Sequence, residues 1–334
     1  MKLQASETKK IAVFRALQLG DMLCTIPAIR ALRKAYPDAQ ITLIGLPWAQ
    51  ALVERLTAYF DNFIPFAGFP GLPEQPFNAK NFADFLAKVQ SENFDLVLQM
   101  QGNGSIVNPL AELFGAAHTA GFFKRDHYYP DNNLFMEYPD YGHEIERHIQ
   151  LMEFLGIPSK GTNLEFPLYE KDYTDFEDAG LNLRAGNYVC IHPGSRGTSR
   201  RWPTAYFAQL ADAVAEKGLM VVITGTKDEL DIVNDVKNQM NNKPIIAAGK
   251  TSIGAVAVLI KNSFGLISNC TGVSHIASAL GKRSIVISMD GEPERWAPLN
   301  RQVHSVTDWT TTPDFELVLH KTLTMLKELH DQEY

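Results

Sequence analysis

Cysteine is scarce: the 334 residues hold only Cys24, Cys190 and Cys270. Three scattered thiols exclude a disulfide framework and a closed zinc site, and fit a reduced, cytosolic setting. Long apolar runs are missing too. Met1 to Lys10 is polar, and the apolar run from Ile11 stops at Arg15, shorter than the roughly 7–15 residues of a signal-peptide core. Nothing approaches the ~18 apolar residues of a spanning helix. The expectation is a soluble, cytoplasmic protein, at most peripheral to the inner face of a membrane. Positive charge is not in surplus either: the net charge is −7, which argues against nucleic acid as a partner. Residues 1–60 hold 8 Lys and Arg against 4 Asp and Glu, residues 61–178 hold 7 against 19, and residues 179–334 hold 16 against 15. The basic opening is compatible with an anionic ligand or membrane surface and with an ordinary solvated face.

What is present is ordinary globular composition, with 45% hydrophobic residues, Gly 23 and Pro 18. At ~150 residues per domain the length suggests two domains. Short apolar runs alternate with helical stretches, the grammar of parallel sheets covered by helices. Ile11–Arg15, Ile41–Ile44 and Asp95–Met100 read as strands in the first half. One helical stretch runs from Gly20-Asp21 to about Tyr36, with Pro27 in a first turn because it lacks an N–H. In the second half, Tyr188–Ile191, Leu219–Thr224, Ile245–Ala248, Phe264–Ser268 and Ser284–Ser288 read as strands. Helices are expected over Trp202–Lys217, Ser252–Lys261, Thr271 to Leu280 and about 313–330. The domain boundary is expected between Gly156 and Asp178, in an acidic, irregular stretch. Ligands of open α/β sheets sit beyond the carboxyl ends of the strands, so the loops after the apolar runs carry the information.

Several familiar patterns fail there. Gly102-Asn103-Gly104 lacks the third glycine of a dinucleotide turn, which falls on Val107. Gly249-Lys250-Thr251 resembles the end of a P-loop, but its first glycine would be Pro244. His143 and His148 are five apart, about 140° around a helix at ~100° per residue, and cannot share a metal from one face. Gly272-Val273-Ser274-His275 ends on Ile276 where a nucleophile elbow needs glycine. No Asp-X-Asp pair follows an apolar strand, so nothing suggests a metal–diphosphate site.

Three loops in the second half share one chemistry, small residues and hydroxyls at the start of a helix, where free N–H groups and the positive dipole end favour phosphate. They are His192-Pro193-Gly194-Ser195 shortly before Arg200, Arg201 and Trp202; Thr224-Gly225-Thr226 before Asp228-Glu229; and Thr271-Gly272-Val273-Ser274-His275. Each alone reads as a helix cap. Three in one half, with paired arginines, point to a nucleotide diphosphate. In the first half the singular feature is Gly20-Asp21. An aspartate at a strand-to-helix turn is ordinarily an N-cap; in a site it would be a general base that takes a proton from an attacking hydroxyl.

With these residues in this order, the sequence resembles glycosyltransferase family 9, the ADP-heptose:lipopolysaccharide heptosyltransferases, over about Lys10 to Pro298. The carriers are Leu19-Gly20-Asp21 with Thr25-Ile26-Pro27-Ala28 and Leu32-Arg33; Asp95-Leu96-Val97; His192-Pro193-Gly194-Ser195 with Arg201-Trp202-Pro203; and Thr271-Gly272 with His275. The resemblance implies a GT-B architecture, two Rossmann-like doubly wound domains facing a central cleft. Residues 1–163 would bind the acceptor and residues 164–334 the nucleotide-sugar, with the final helix packing on either domain. It implies inversion without a metal or other cofactor, and a glycolipid or surface-glycan acceptor. Asp21 would be the base. Ser195, Arg200, Arg201, Thr271, Gly272, Val273 and His275 would meet the diphosphate and sugar. Thr224, Gly225, Thr226, Glu229, Gly249 and Lys250 would lie toward adenosine, and Gly20, Gln101 and Asn103 toward the acceptor.

Two departures bear on the donor. Cys270 stands where the family usually has an aspartate expected to hold sugar hydroxyls, and a thiol is a poor, uncharged acceptor. Met289-Asp290-Gly291-Glu292-Pro293 replaces an expected Gly-Pro-Thr-like loop, so either Asp290 or Glu292 would take over sugar recognition or the donor is not a heptose. The alternatives are a nucleotide-binding relative without transfer activity, motivated by Cys270, and an NAD(P)-dependent oxidoreductase, resting on the incomplete pattern at Gly102.

Overall fold

Parallel strands buried on both faces make up the frame, as their unbroken apolar sequences require. The structure is a computed structural model describing residues 2–327. It divides into two units, Met1–Leu164 and Glu165–Tyr334. In the first, the strands are β1 (Lys10–Phe14), β2 (Gln40–Gly45), β3 (Asn62–Pro65), β4 (Leu96–Gln99), β5 (His118–Phe123) and β6 (Phe135–Glu137). Its helices are α1 (Leu19–Leu23), α2 (Ile26–Ala35), α3 (Gln50–Arg55), α4 (Ala79–Ser91), α5 (Val107–Glu112) and α6 (Glu144–Phe154). The six strands are all parallel, in the order β3-β2-β1-β4-β5-β6.

The second unit has α7 (Glu170–Asp178), β7 (Tyr188–His192), α8 (Thr204–Ala215), β8 (Met220–Ile223), α9 (Leu230–Gln239) and β9 (Ile245–Ile246). It continues with α10 (Ile253–Asn262), β10 (Gly265–Asn269), α11 (Gly272–Ala279), β11 (Ser284–Ser288), α12 (Pro293–Trp296), β12 (His304–Asp308) and α13 (Phe315–Lys327). Its strand order, β9-β8-β7-β10-β11-β12, repeats that of the first unit. Each unit is thus a doubly wound sheet of the dinucleotide-fold order, and the chain direction reverses at β1/β4 and at β7/β10. Those two crevices are where ligands belong.

Aromatic edges fill the first core, Phe14 against Phe66 at 5.1 Å and Phe114 at 5.3 Å. In the second, Trp202 is buried against Tyr206, Phe207, Trp309 and Phe315. The final helix α13 packs on α8 and β11 of its own unit, burying Val318, Met325 and Leu326; the part expected over 328–330 lies outside the described residues.

Two readings need correction. The single helix from Gly20 to Tyr36 is two, α1 and α2, because the Thr25 hydroxyl bonds the Met22 carbonyl at 2.6 Å and competes with the helical ladder. Pro27 sits in the first turn of α2, as its missing N–H requires. The acidic stretch before the second sheet is not irregular throughout. Glu170 and Asp172 occupy the first turn of α7, where the helix dipole favours carboxylates, and Tyr169 N–H donates to Asp172 at 2.8 Å.

Candidate active site

At the first crevice β1 is followed directly by Arg15, whose side chain is 1% exposed. Its Nε donates to the Asp21 carbonyl at 3.0 Å, Nη1 to the Met100 carbonyl, and Nη2 to Glu144 Oε1 at 3.3 Å. One guanidinium therefore ties together the loop after β1, the end of β4 and the start of α6. Asp21 is the third residue of α1, and the N-cap position belongs to Gln18. The reading of Asp21 as the cap is therefore corrected. Its carboxylate stands 4.0 Å from Arg15 Nη2 and keeps 23% exposure. Gly20 precedes it in α1.

The loop after β4 is built on its glycines. Gly104 has φ +84° and a Cβ there would come 2.3 Å from the Phe122 carbonyl. Gln101 is buried and its Oε1 accepts from Ala16 N–H at 2.7 Å. Asn103 is half-buried, and its Oδ1 accepts from Ser105 N–H at 3.1 Å, closing the turn. Both candidate acceptor residues thus also hold their own loop.

At the second crevice the organiser is Asn269, the last residue of β10 and fully buried. Its Oδ1 accepts from Trp202 N–H at 2.9 Å and its Nδ2 donates to the carbonyls of Pro193 at 2.8 Å and Gly194 at 3.2 Å. Arg201 Nε donates to the Ser195 carbonyl at 2.8 Å. These bonds gather the loop after β7 beside the start of α11. There Gly272 and Val273 occupy the first two helical positions, whose N–H groups have no partner within the helix. Thr271 Oγ1 and Ser268 Oγ are buried without a hydrogen-bond partner, the condition that favours a polar ligand. His275 is buried further along α11.

Arg200 Nη2 meets Asp290 Oδ2 at 3.1 Å, and Asp290 Oδ1 accepts from Ser288 Oγ at 2.8 Å and Glu292 N–H at 3.3 Å. Burial, reinforced by the Asp290 carboxylate, pushes the Cys270 thiol up to about 12, so position 270 carries no charge. Glu292 is engaged within α12, accepting from Trp296 Nε1 at 3.2 Å and pairing with Arg295 at 3.6 Å.

Behind β8, the Thr224 hydroxyl is buried 3.0 Å from His192 Nδ1, and His192 Nε2 lies 3.9 Å from Glu229 Oε2. Burial lowers the His192 pKa, opposed by the Glu229 charge. Glu229 also accepts from Thr226 N–H at 2.9 Å. A Cβ at Gly194 would fall 2.1 Å from Glu229 Oε1, so glycine is what lets this carboxylate lie against the loop. Gly225 and Gly249 meet through Gly249 N–H to the Gly225 carbonyl at 3.0 Å, while Thr226 and Lys250 are exposed.

The second unit therefore collects Ser195, Arg200, Arg201, Thr271, Gly272, Val273 and Asp290 around one strand end, and Thr224, Glu229 and Gly249 around the next. Sequence reasoning missed Arg15, Glu144 and Asn269. Their signal was a polar residue placed directly where an apolar strand stops, for Arg15 and Asn269; Glu144 had none. Among the described residues no three His, Cys, Asp or Glu side chains form a group able to hold a metal, and no helix is long and apolar enough to cross a membrane.

The model of the family described as glycosyltransferase family 9 (heptosyltransferase) matches residues 83–322. A similar protein is lipopolysaccharide heptosyltransferase 3 of Escherichia coli, 24% identical over 298 residues, covering 84% of this chain and 83% of the relative. Among solved structures, a family 9 glycosyl transferase from Veillonella parvula aligns with TM-score 0.80 at 22% identity, over 98% of this chain and 99% of that one. The Escherichia coli ADP-heptose lipopolysaccharide heptosyltransferase II aligns with TM-score 0.76 at 18% identity, over 96% and 99%. The fold is that of the GT-B heptosyltransferases.

Proposed function

The chain belongs to glycosyltransferase family 9 and is a glycosyltransferase, and we propose that it moves a heptose or related sugar from an ADP-sugar to a lipopolysaccharide core or similar surface glycan. The reaction is a single inverting displacement that needs no metal or other cofactor, with Asp21 as general base. The acceptor oxygen forms its bond to the anomeric carbon while the bond from that carbon to the diphosphate oxygen breaks. The hydroxyl proton passes to the Asp21 carboxylate, and the electron pair leaves with ADP. Negative charge grows on the diphosphate, and the Gly272 and Val273 N–H groups, the Ser195 hydroxyl and Arg200 are suited to stabilise it.

The observation that carries the reading is the placement of Asp21. Asp21 is not the N-cap residue of its helix, lies at the switch point of the first sheet, and stands 4.0 Å from a buried guanidinium while keeping 23% exposure. The names of similar proteins, a lipopolysaccharide heptosyltransferase and an ADP-heptose enzyme, support the substrates. Of the two acidic residues of the altered loop, Asp290 pairs with Arg200 and acts on Cys270, which supports it as the carboxylate on the sugar side.

Asp21→Asn is expected to lower turnover of ADP-heptose with a truncated lipopolysaccharide acceptor by roughly 10²–10⁴ while ADP affinity is unchanged. Full turnover in that variant would remove Asp21 from the chemistry. The anomeric configuration of the product, read by NMR, tests inversion, and turnover unaffected by EDTA tests metal independence.

A further inference from the structure

The first unit carries a buried ionic cluster that the sequence does not announce. Arg15 reaches back from β1, and Glu144, Arg147 and His148 reach in from the first turns of α6; all four are buried. Glu144 is their hub. It accepts from Arg15 Nη2 at 3.3 Å and Arg147 Nη1 at 3.4 Å, and lies 3.3 Å from His148 Nε2. Arg147 also donates to Tyr138 Oη at 2.9 Å and to the Tyr141 carbonyl at 3.3 Å. The end of β4 presents only neutral groups, the Met100 carbonyl and the Gln101 side chain. Asp21 is the acidic residue of α1.

The charges decide what this cluster does. Burial, with the two guanidiniums, holds His148 down to about 4, so its imidazole is neutral at neutral pH. That leaves two cations, Arg15 and Arg147, against one enclosed carboxylate, Glu144. The Asp21 carboxylate stands 4.0 Å from Arg15 as well, so one guanidinium lies between the carboxylates of Glu144 and Asp21. Arg15 also fixes the Asp21 backbone through its carbonyl.

We propose that Arg15 and Glu144 are positioning residues for the general base, Arg15 orienting Asp21 and favouring its carboxylate form, and Glu144 offsetting Arg15 so that Asp21 keeps enough basicity to take a proton. This rests on the reading of Asp21 as the base. Neither residue needs to touch substrate. Arg15 spans β1, α1, β4 and α6, so it places the carboxylate through the frame of the sheet rather than through the mobile end of a loop.

The two residues push in opposite directions, which gives a test that loss of packing does not mimic. In Glu144→Gln, Arg15 loses its buried carboxylate partner and acts on Asp21 unopposed, and the acid limb of the kcat/KM profile moves to lower pH by about one unit, with kcat reduced at neutral pH. In Arg15→Gln the acid limb moves to higher pH by a similar amount, and kcat falls while KM for ADP-heptose stays within about twofold. Where Arg15→Gln does not fold, the near-isosteric Glu144→Gln decides alone. Profiles are measured with ADP-heptose and a truncated lipopolysaccharide acceptor. Folded variants whose acid limb coincides with the parent's, beside an inactive Asp21→Asn, overturn the positioning role and leave the base in place. A fully active Asp21→Asn overturns both.

Discussion

His148 and His304 are each enclosed by their own unit, His148 beside the Arg15–Glu144 pair and His304 with Nδ1 2.8 Å from the Ser284 hydroxyl. Burial lowers both from the ordinary 6.5 to about 4, with nearby guanidiniums adding to it: Arg15 and Arg147 for His148, Arg301 for His304. The sign follows from proton counting. Between about 4 and 6.5 the unfolded chain binds protons that the folded chain refuses, so stability rises with pH there and is lost as pH falls. The urea midpoint is expected to be lower at about pH 5 than at about pH 7, and His304→Gln should shrink that difference. An equal drop in parent and variant would mean that His304 takes up its proton in the folded state. A thiol obeys the same burial rule with the opposite sign. Cys270 is kept neutral by burial, with the Asp290 carboxylate adding to it.

At the scale of elements, the loops depend on a few groups that nothing else can replace. Asn269→Ala removes three hydrogen bonds at a buried position and strands the Trp202 N–H and the Pro193 carbonyl, a cost of roughly 2–4 kcal/mol from lost and unsatisfied bonds. It should also weaken ADP binding, since the loop after β7 loses its tie to β10; calorimetric titration and chemical denaturation read the two effects separately. Unchanged affinity in a destabilised variant would confine Asn269 to the fold. Much of this frame was legible because inner strands such as β7, β10 and β11 are buried on every residue and so are apolar through their middles, with polar residues at their ends. β3, β5, β6 and β12 were not read as strands. β3, β6 and β12 are sheet edges, shorter or more polar, and β5, though inner, opens on an exposed His118 and carries Thr119 and Gly121. Asp21 and the phosphate loops could be read because their residues are consecutive in the chain. The cluster on Glu144 could not, because Arg15 meets it 129 residues away and only the sheet order brings β1 and α6 together.

The whole molecule uses one strand order twice and gives the two switch points opposite electrostatics. Around β1 and β4 stand a carboxylate and its buried guanidinium; around β7 and β10 stand a neutral Asn269, unpartnered hydroxyls and the start of α11. Fold alone therefore does not assign the ligand, and the side chains at each strand end do. A base belongs to the first pattern and a diphosphate to the second. This division is testable on the intact protein by thermal shift. ADP at ~100 times its dissociation constant adds about 2.7 kcal/mol to the folded state, roughly 5–10 °C for a unit of this size. That shift should persist in Asp21→Asn, because the phosphates are proposed to lie at the second switch point. It should shrink in Arg200→Ala, whose guanidinium is half exposed and bound only to Asp290 among the ion pairs described. Losing the shift with Asp21→Asn while keeping it with Arg200→Ala would place the nucleotide in the first unit. The two switch points would then have exchanged roles, and the base would have to be sought beside β10.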